Sequence, residues 1–336
     1  MSDREPVNRR NFIQRTLTVM GGAGIAGAVG SHPAGTARAE DQTPDDTAPR
    51  GADAGMTYGT IGNVKLSRML LGGNLIGGFM HARDLKYVGA LFRAYVTEAK
   101  IMETLRIAEE NGINTVFETG GEFVARHNQE TGGKMQFIPH IEVNAGDSDQ
   151  VLSDHIKRQV DTGAVALYIW GISGDRMTMD GHVDMLAKAV EMGKKHNLPV
   201  GVGGHSLQVP IQCEKQGVPC DFYVKTLHRD DYPSAIPQHL RKEFIWYTDD
   251  PGYYDNMWCL NPEETIAFMQ TVTKPWIAFK VLAAGAYLPQ DGFQFAFRNG
   301  ADFIAVGMLD FQIQGNCEIA QRVIRRNQVR ARPWCA

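Results

Sequence analysis

Between Ser67 and Val306 the chain alternates short apolar runs with longer amphipathic ones, and this alternation limits its fold more than any other feature. The short runs are Ser67–Gly72, Thr115–Glu118, Gln136–Val143, Val165–Trp170, Val200–Gly203, Asp221–Lys225, Trp276–Lys280 and Phe303–Val306. Between them lie stretches such as EAKIMETLRIAEENG and GHVDMLAKAVEMGKKHN, whose apolar residues recur at three- and four-residue spacing and which end in Gly or Asn. Another, NPEETIAFMQTVTK, offers Asn261 as a cap, Pro262 in the first turn and acids behind it. Strands separated by helices predict a parallel sheet. Eight such units on one chain favour a (β/α)8 TIM barrel. An open doubly wound sheet is the runner-up, but Leu71-Gly72-Gly73-Asn74 is only a glycine-bearing turn, not the phosphate-binding fingerprint that fold requires.

The first residues have another purpose. Within NRRNFIQRTLTVMGGAGIAGAVG the apolar run is too short, and too softened by Thr16, Thr18 and its glycines, to stay in a membrane. It reads as the apolar region of an export signal, with cleavage expected after Ala39. Arg9-Arg10 followed by Asn11-Phe12 resembles the twin-arginine motif, which implies export after folding; the other reading is an ordinary secretion signal. The expected layout is a signal (1–39), a disordered linker rich in Asp, Pro, Gly and Thr (40–55), one barrel domain (56–328) and a tail (329–336). The expected location is periplasmic or secreted, with the twin-arginine machinery as a partner and no membrane association after cleavage. A net charge of −4 with no basic stripe speaks against nucleic-acid binding. Five cysteines, at 213, 220, 259, 317 and 335, match no zinc spacing. Cys213 and Cys220 are the closest pair for a disulfide, against which stands the reading of buried free thiols.

Two connections exceed simple loops. Residues 77–96 carry Phe79, Tyr87, Phe92 and Tyr95; residues 229–260 carry Tyr232, Trp246, Tyr247, Tyr253, Tyr254 and Trp258. Insertions of that length are commonly functional. Their aromatics either cover a pocket and stack on sugar rings, or pack on themselves or a partner.

VKLSRMLLGG, EENGINTVFETG, LYIWG, KPWIAFKVLAAGA and FIAVGM together resemble the aldo/keto reductase superfamily, and more specifically exported bacterial relatives of it. The likeness runs from about Thr57 to Ile324. It implies the barrel, and in reductases it implies an Asp, Tyr, Lys and His tetrad around a nicotinamide. Here Glu118 stands at the Asp position, Phe123 at the Tyr position, His140 near the Lys position and Trp170 or Gly171 at the His position. Phe123 cannot donate the proton that carbonyl reduction needs. Asp310 and Gln312 lie near the family's nucleotide region, without a basic residue for a 2′-phosphate. NAD(P) is therefore not the expected cofactor.

The strand ends present a different polar set: Glu118, His140, Glu142, His205, Lys225, His228 and Lys280. In barrels, catalytic groups project from these ends. His140 and Glu142, two apart, share a face of an extended strand. The set suits two mechanisms. In one, Glu142, His205 and His228 hold a divalent metal that polarises a carbonyl or activates water. In the other, Glu118 or His140 moves a proton beside a carbonyl while Lys225 and Lys280 stabilise an oxyanion, or a buried Lys forms a Schiff base. Against both stands a buried ionic network without catalysis. His127, His155, His182, His196 and His239 are expected at the surface. The expected function is lyase, isomerase or hydrolase chemistry on a small polar, carbohydrate-derived substrate. Two alternatives stay open: an NAD(P)-dependent oxidoreductase with a rearranged acid such as His140, and a periplasmic sugar-binding protein.

Overall fold

The computed structural model describes residues 55–248 and 253–336; the expected signal, and the expected linker save its last residue, lie outside them. A two-stranded antiparallel hairpin comes first, β1 (Tyr58–Ile61) and β2 (Val64–Ser67). Its two-residue turn is Gly62-Asn63, and Gly62 has the positive φ (59°) that a type II′ turn asks of its first central residue. Eight parallel strands then close into a barrel: β3 (Met69–Gly72), β4 (Thr115–Glu118), β5 (Gln136–Ile141), β6 (Leu167–Ile169), β7 (Val200–Gly204), β8 (Phe222–Thr226), β9 (Trp276–Phe279) and β10 (Phe303–Val306). β10 returns to pair with β3, which completes the ring of the (β/α)8 TIM barrel. All eight expected strands are present, β4 and β10 with the expected bounds. The hairpin is an addition, and it takes Ser67 out of the first barrel strand.

Pleating divides each strand between two cores. Leu70, Phe117, Ile138, Tyr168, Phe222, Val224, Ile277, Phe303 and Ala305 point inward and share one cluster. Met69, Leu71, Val116, Ile141, Leu167, Ile169, Val202, Tyr223, Ala278 and Ile304 point outward to the helices. Ile61, Val64 and Leu66 of the hairpin join the inner cluster, so the hairpin closes the end from which the strands start.

The C-terminal segment seals the same end. Buried Asp302, immediately before β10, accepts from the guanidinium groups of Arg330 (3.0 Å) and Arg332 (2.7 Å) and from the backbone amides of Trp276 and Cys335. Arg330 and Arg68 both lie on the Trp334 ring, at 3.6 and 4.3 Å. Hairpin and tail thus fill the end from which the strands start, and the opposite rim is left uncovered by them.

The second insertion divides its aromatics. Tyr232, Ile236, Met257 and Ala283 form a small core of their own, with Tyr254 and Tyr287 against it. Trp246 and Trp258 instead reach groups at the mouth, described below. All five cysteines are free thiols, so Cys213 and Cys220 form no bridge. Among the described residues no helix is long and apolar enough to cross a membrane.

Candidate active site

Glu118 and Lys280 reach the mouth by the same device. Each sits at or just after the end of its strand, at a position that simple alternation would turn outward, behind inward Phe117 and inward Phe279. Each has a left-handed backbone, φ 88° at Glu118 and 57° at Lys280. Non-glycine residues there cost of order 1 kcal/mol, and such strain persists where the surroundings over-determine it. The result re-aims both side chains: the Glu118 carboxylate accepts from Trp170 Nε1 at 3.0 Å, above inward Tyr168. Burial and the Glu118 charge push the Tyr168 phenol far up, so it stays neutral.

His140 needs no such turn. It shares the inward parity of Ile138, and its ring stacks on Trp170 at 5.3 Å. Its Nδ1 donates to the Glu118 carbonyl at 3.2 Å, leaving Nε2 as the free nitrogen, 3.9 Å from Glu142 at the rim. Glu118, His140 and Trp170 thus form one contiguous wall.

Lys280 stands at the meeting of both insertions. Its Nζ donates to Nε2 of His81 at 2.6 Å and lies 3.9 Å from the centre of the Trp258 ring. His81 in turn donates from Nδ1 to Asp255 at 2.8 Å. Burial pulls the Lys280 amine down to about 8, against the opposing charges of Glu118 and Asp255. Burial and the neighbouring Lys280 charge pull His81 down to about 4, so its ring is neutral and Nε2 is an acceptor. His81 and Asp255 have no motif in the sequence; the one available signal was the length of the segments that carry them.

His205 borders the same space, ring to ring with Phe279 at 5.2 Å. Its Nδ1 donates to buried Asp175 at 2.7 Å, which fixes the tautomer with Nε2 as acceptor. Asp175 also accepts from the backbone amides of His205 and Ser206 and from Trp246 Nε1. Asp175 can sit there because Gly174 lets its helix lie directly on β7: a Cβ at Gly174 would stand 1.9 Å from the Gly203 carbonyl. The sequence reading missed Asp175.

Three expected groups are placed elsewhere. Lys225 has the outward parity of Tyr223, and its buried Nζ donates to the Thr226 carbonyl and hydroxyl, both at 2.9 Å. It does not join Lys280. His228 is fully buried and consumed by backbone: Nε2 accepts from the amides of Trp258 and Cys259, both at 3.0 Å, and Nδ1 donates to the Arg229 carbonyl. Glu142 is a half-exposed rim residue. The metal set of Glu142, His205 and His228 therefore does not assemble, and among the described residues no three His, Cys, Asp or Glu side chains converge to hold an ion. His127, expected at the surface, is 1% exposed and bonded to Glu109 at 2.7 Å.

His228 carries a measurable consequence. Burial pulls its pKa to about 4. Its folded value lies below the unfolded one, so the stability it supports is complete above about pH 6.5 and is lost as pH falls toward 4. Urea midpoints between pH 7 and 4 should fall, with this group alone contributing about 3 kcal/mol. In His228→Gln the fall should be shallower, whatever its starting stability; an unchanged slope would remove His228 as the cause.

The architecture defines a (β/α)8 barrel with an N-terminal hairpin plug and an ionisable cluster at the C-terminal strand ends. No family model matches the chain, and no curated protein is significantly similar to it in sequence. Two solved structures of a Pseudomonas aeruginosa protein, provisionally assigned as an aldo-keto reductase, align with TM-scores of 0.53 and 0.51, each at 13% identity. They cover 80% of this chain and 95% and 96% of theirs. A truncated 3-deoxy-D-arabino-heptulosonate 7-phosphate synthase from Thermotoga maritima aligns at 0.45 and 10% identity, over 82% of this chain and 95% of that one. At 13% identity the likeness to the Pseudomonas aeruginosa protein is one of fold, and the expected resemblance to aldo/keto reductases holds at that level.

Proposed function

We propose that this chain is an exported barrel enzyme of lyase, isomerase or hydrolase type. Its substrate is a small polar carbonyl compound derived from carbohydrate, and its chemistry is acid/base, without a nicotinamide. The observation that carries the reading is the convergence of Glu118, His140 and Lys280, from three separate strands, on one partly open mouth. Lys225 and His228, by contrast, are fully engaged and sealed. Export rests on Arg9-Arg10 and the apolar run behind them.

Glu118 or His140 takes the proton from the carbon beside the carbonyl. The bonding pair moves into the carbonyl, and Lys280, mostly an ammonium at neutral pH, stabilises the enolate oxygen. Returning the proton to another carbon isomerises the substrate; breaking the next bond makes a lyase. The steps written here use no metal, since among the described residues the donors for one do not meet. Reductase chemistry has less support: Phe123, at the position of the reductase Tyr, lies on the helix Gly121–Thr131 and packs on the outer core.

Deuterium wash-in from D2O tests the reading. A panel of small aldoses, ketoses and 2-oxo acids is followed by proton NMR. The wild type should exchange the hydrogen next to the carbonyl of at least one member, and Glu118→Gln should slow this by about 10²–10⁴-fold. No exchange across the panel, or tight saturable NADPH binding, overturns the proposal.

A further inference from the structure

Resting on the proton transfer of that reading, and replacing the charge-stabilising part it gives Lys280, we infer that Lys280 is a covalent catalyst, whose Nζ condenses with the carbonyl of a small hydroxy-aldehyde or hydroxy-ketone to form an imine held in the Asp255–His81–Trp258 corner of the mouth. A lysine in a protein interior is normally paired with a carboxylate. Lys280 is not: among the described residues no Asp or Glu oxygen lies within 4.0 Å of its Nζ, although Glu118 and Asp255 are near enough to act on its charge. Among the described residues Nζ bonds to a neutral imidazole alone, and an aromatic face lies beside it. These surroundings disfavour the ammonium and favour the free amine, which is the nucleophile. Lys225 also has no carboxylate within 4.0 Å among the described residues, but it is sealed and tied to Thr226, whereas Lys280 is partly open to the mouth and stands on a left-handed backbone.

The partners supply the rest of the step. The Nζ lone pair forms the new C–N bond while the carbonyl π pair moves to oxygen. Starting from the ammonium, His81 Nε2, its Nδ1–H held by Asp255, takes in turn the two protons that nitrogen sheds, the first freeing the lone pair for attack, and passes both to the oxygen, which leaves as water and gives the iminium. The iminium then draws electrons from the adjacent C–H or C–C bond, with Glu118 or His140 receiving the proton. Water hydrolyses the product imine and restores Lys280. Nothing is oxidised or reduced, and the water expelled equals the water consumed.

Reductive trapping tests this. The full chain is incubated with dihydroxyacetone or glyceraldehyde and sodium cyanoborohydride, then examined by intact mass and peptide mapping. The expected product gains the probe's mass less one oxygen atom, once per chain, on Lys280. Its rate should be at least about 10-fold above that of any surface lysine, and should climb as pH rises through about 8. Lys280→Arg, with an unchanged circular dichroism spectrum, should show no adduct at that peptide. His81→Asn, folded and with Lys280 in place, should slow trapping by about 10-fold. Labelling spread evenly over surface lysines, or a His81→Asn rate equal to wild type, overturns the inference. Deuterium exchange that proceeds in the wild type with no adduct on Lys280 sinks the imine alone and leaves the acid/base reading standing. Absence of both exchange and adduct sinks the two together.

Discussion

Lys280→Met should yield a protein that is more stable than its parent at pH 7 and inert in proton exchange. The folded-state pKa of Lys280, about 8, lies below the ordinary 10.5. Below pH 8 both states are protonated, and the folded state bears the whole cost of a buried ammonium. Between 8 and 10.5 the folded state sheds its proton first, so stability attributable to this group rises with pH. The gap corresponds to about 3 kcal/mol. Methionine keeps most of the stem's volume without the charge, so the urea midpoint should rise at pH 7 by about 1–3 kcal/mol equivalent, and by little at pH 11. Exchange should fall by about 10²–10⁴-fold. Opposite signs in the two measurements mark a group kept for chemistry at the expense of stability. A Met variant that melts earlier than its parent at pH 7 would show that the amine is a structural tie.

Asp302→Ala should produce the largest loss of stability. The carboxylate answers two guanidinium groups that are themselves almost wholly buried, and two backbone amides. Its backbone carbonyl also receives Arg68 at 3.0 Å. Burial already drags Arg330 down to about 10, with Asp302 opposing. Removing the anion leaves buried cations facing one another. Breaking a buried pair in this way costs about 3–5 kcal/mol. That is a large part of a domain's net stability of about 5–15 kcal/mol, and a drop of about 10 °C in melting temperature is expected. Asp302→Asn keeps acceptors for the amides and should lose less. A melting temperature within about 2 °C of wild type in the Ala variant would mean that hairpin and tail hold the barrel base without this charge.

Legibility differed between neighbouring residues for physical reasons. The strand pattern was readable because burial on both faces makes a parallel strand apolar along its whole length, a local property. The hairpin went unread: a Gly-Asn pair stands between YGTI and VKLS, but those strands are short and half-polar and carry no strong local pattern. Lys225 and Lys280 look alike in sequence, each at the end of an apolar run. Alternation along FYVKT already turned Lys225 outward with Tyr223. The same rule misplaces Lys280 and Glu118, because left-handed φ values after a regular strand leave no mark in composition. His228 read as a ligand because nothing local announces that two distant amides will occupy its ring nitrogen.

The sequence by itself determined the number, order and parallel sense of the barrel strands, and so the end where chemistry can occur. Only the tertiary structure decided which ionisable groups meet. Lys280, His81 and Asp255 come from a strand end and two separate insertions. Asp175 reaches His205 because one helix rests on glycine backbone. Strand periodicity is written within a few residues, whereas a site is made by contacts between segments far apart in the chain, and those contacts exist only once the barrel has closed.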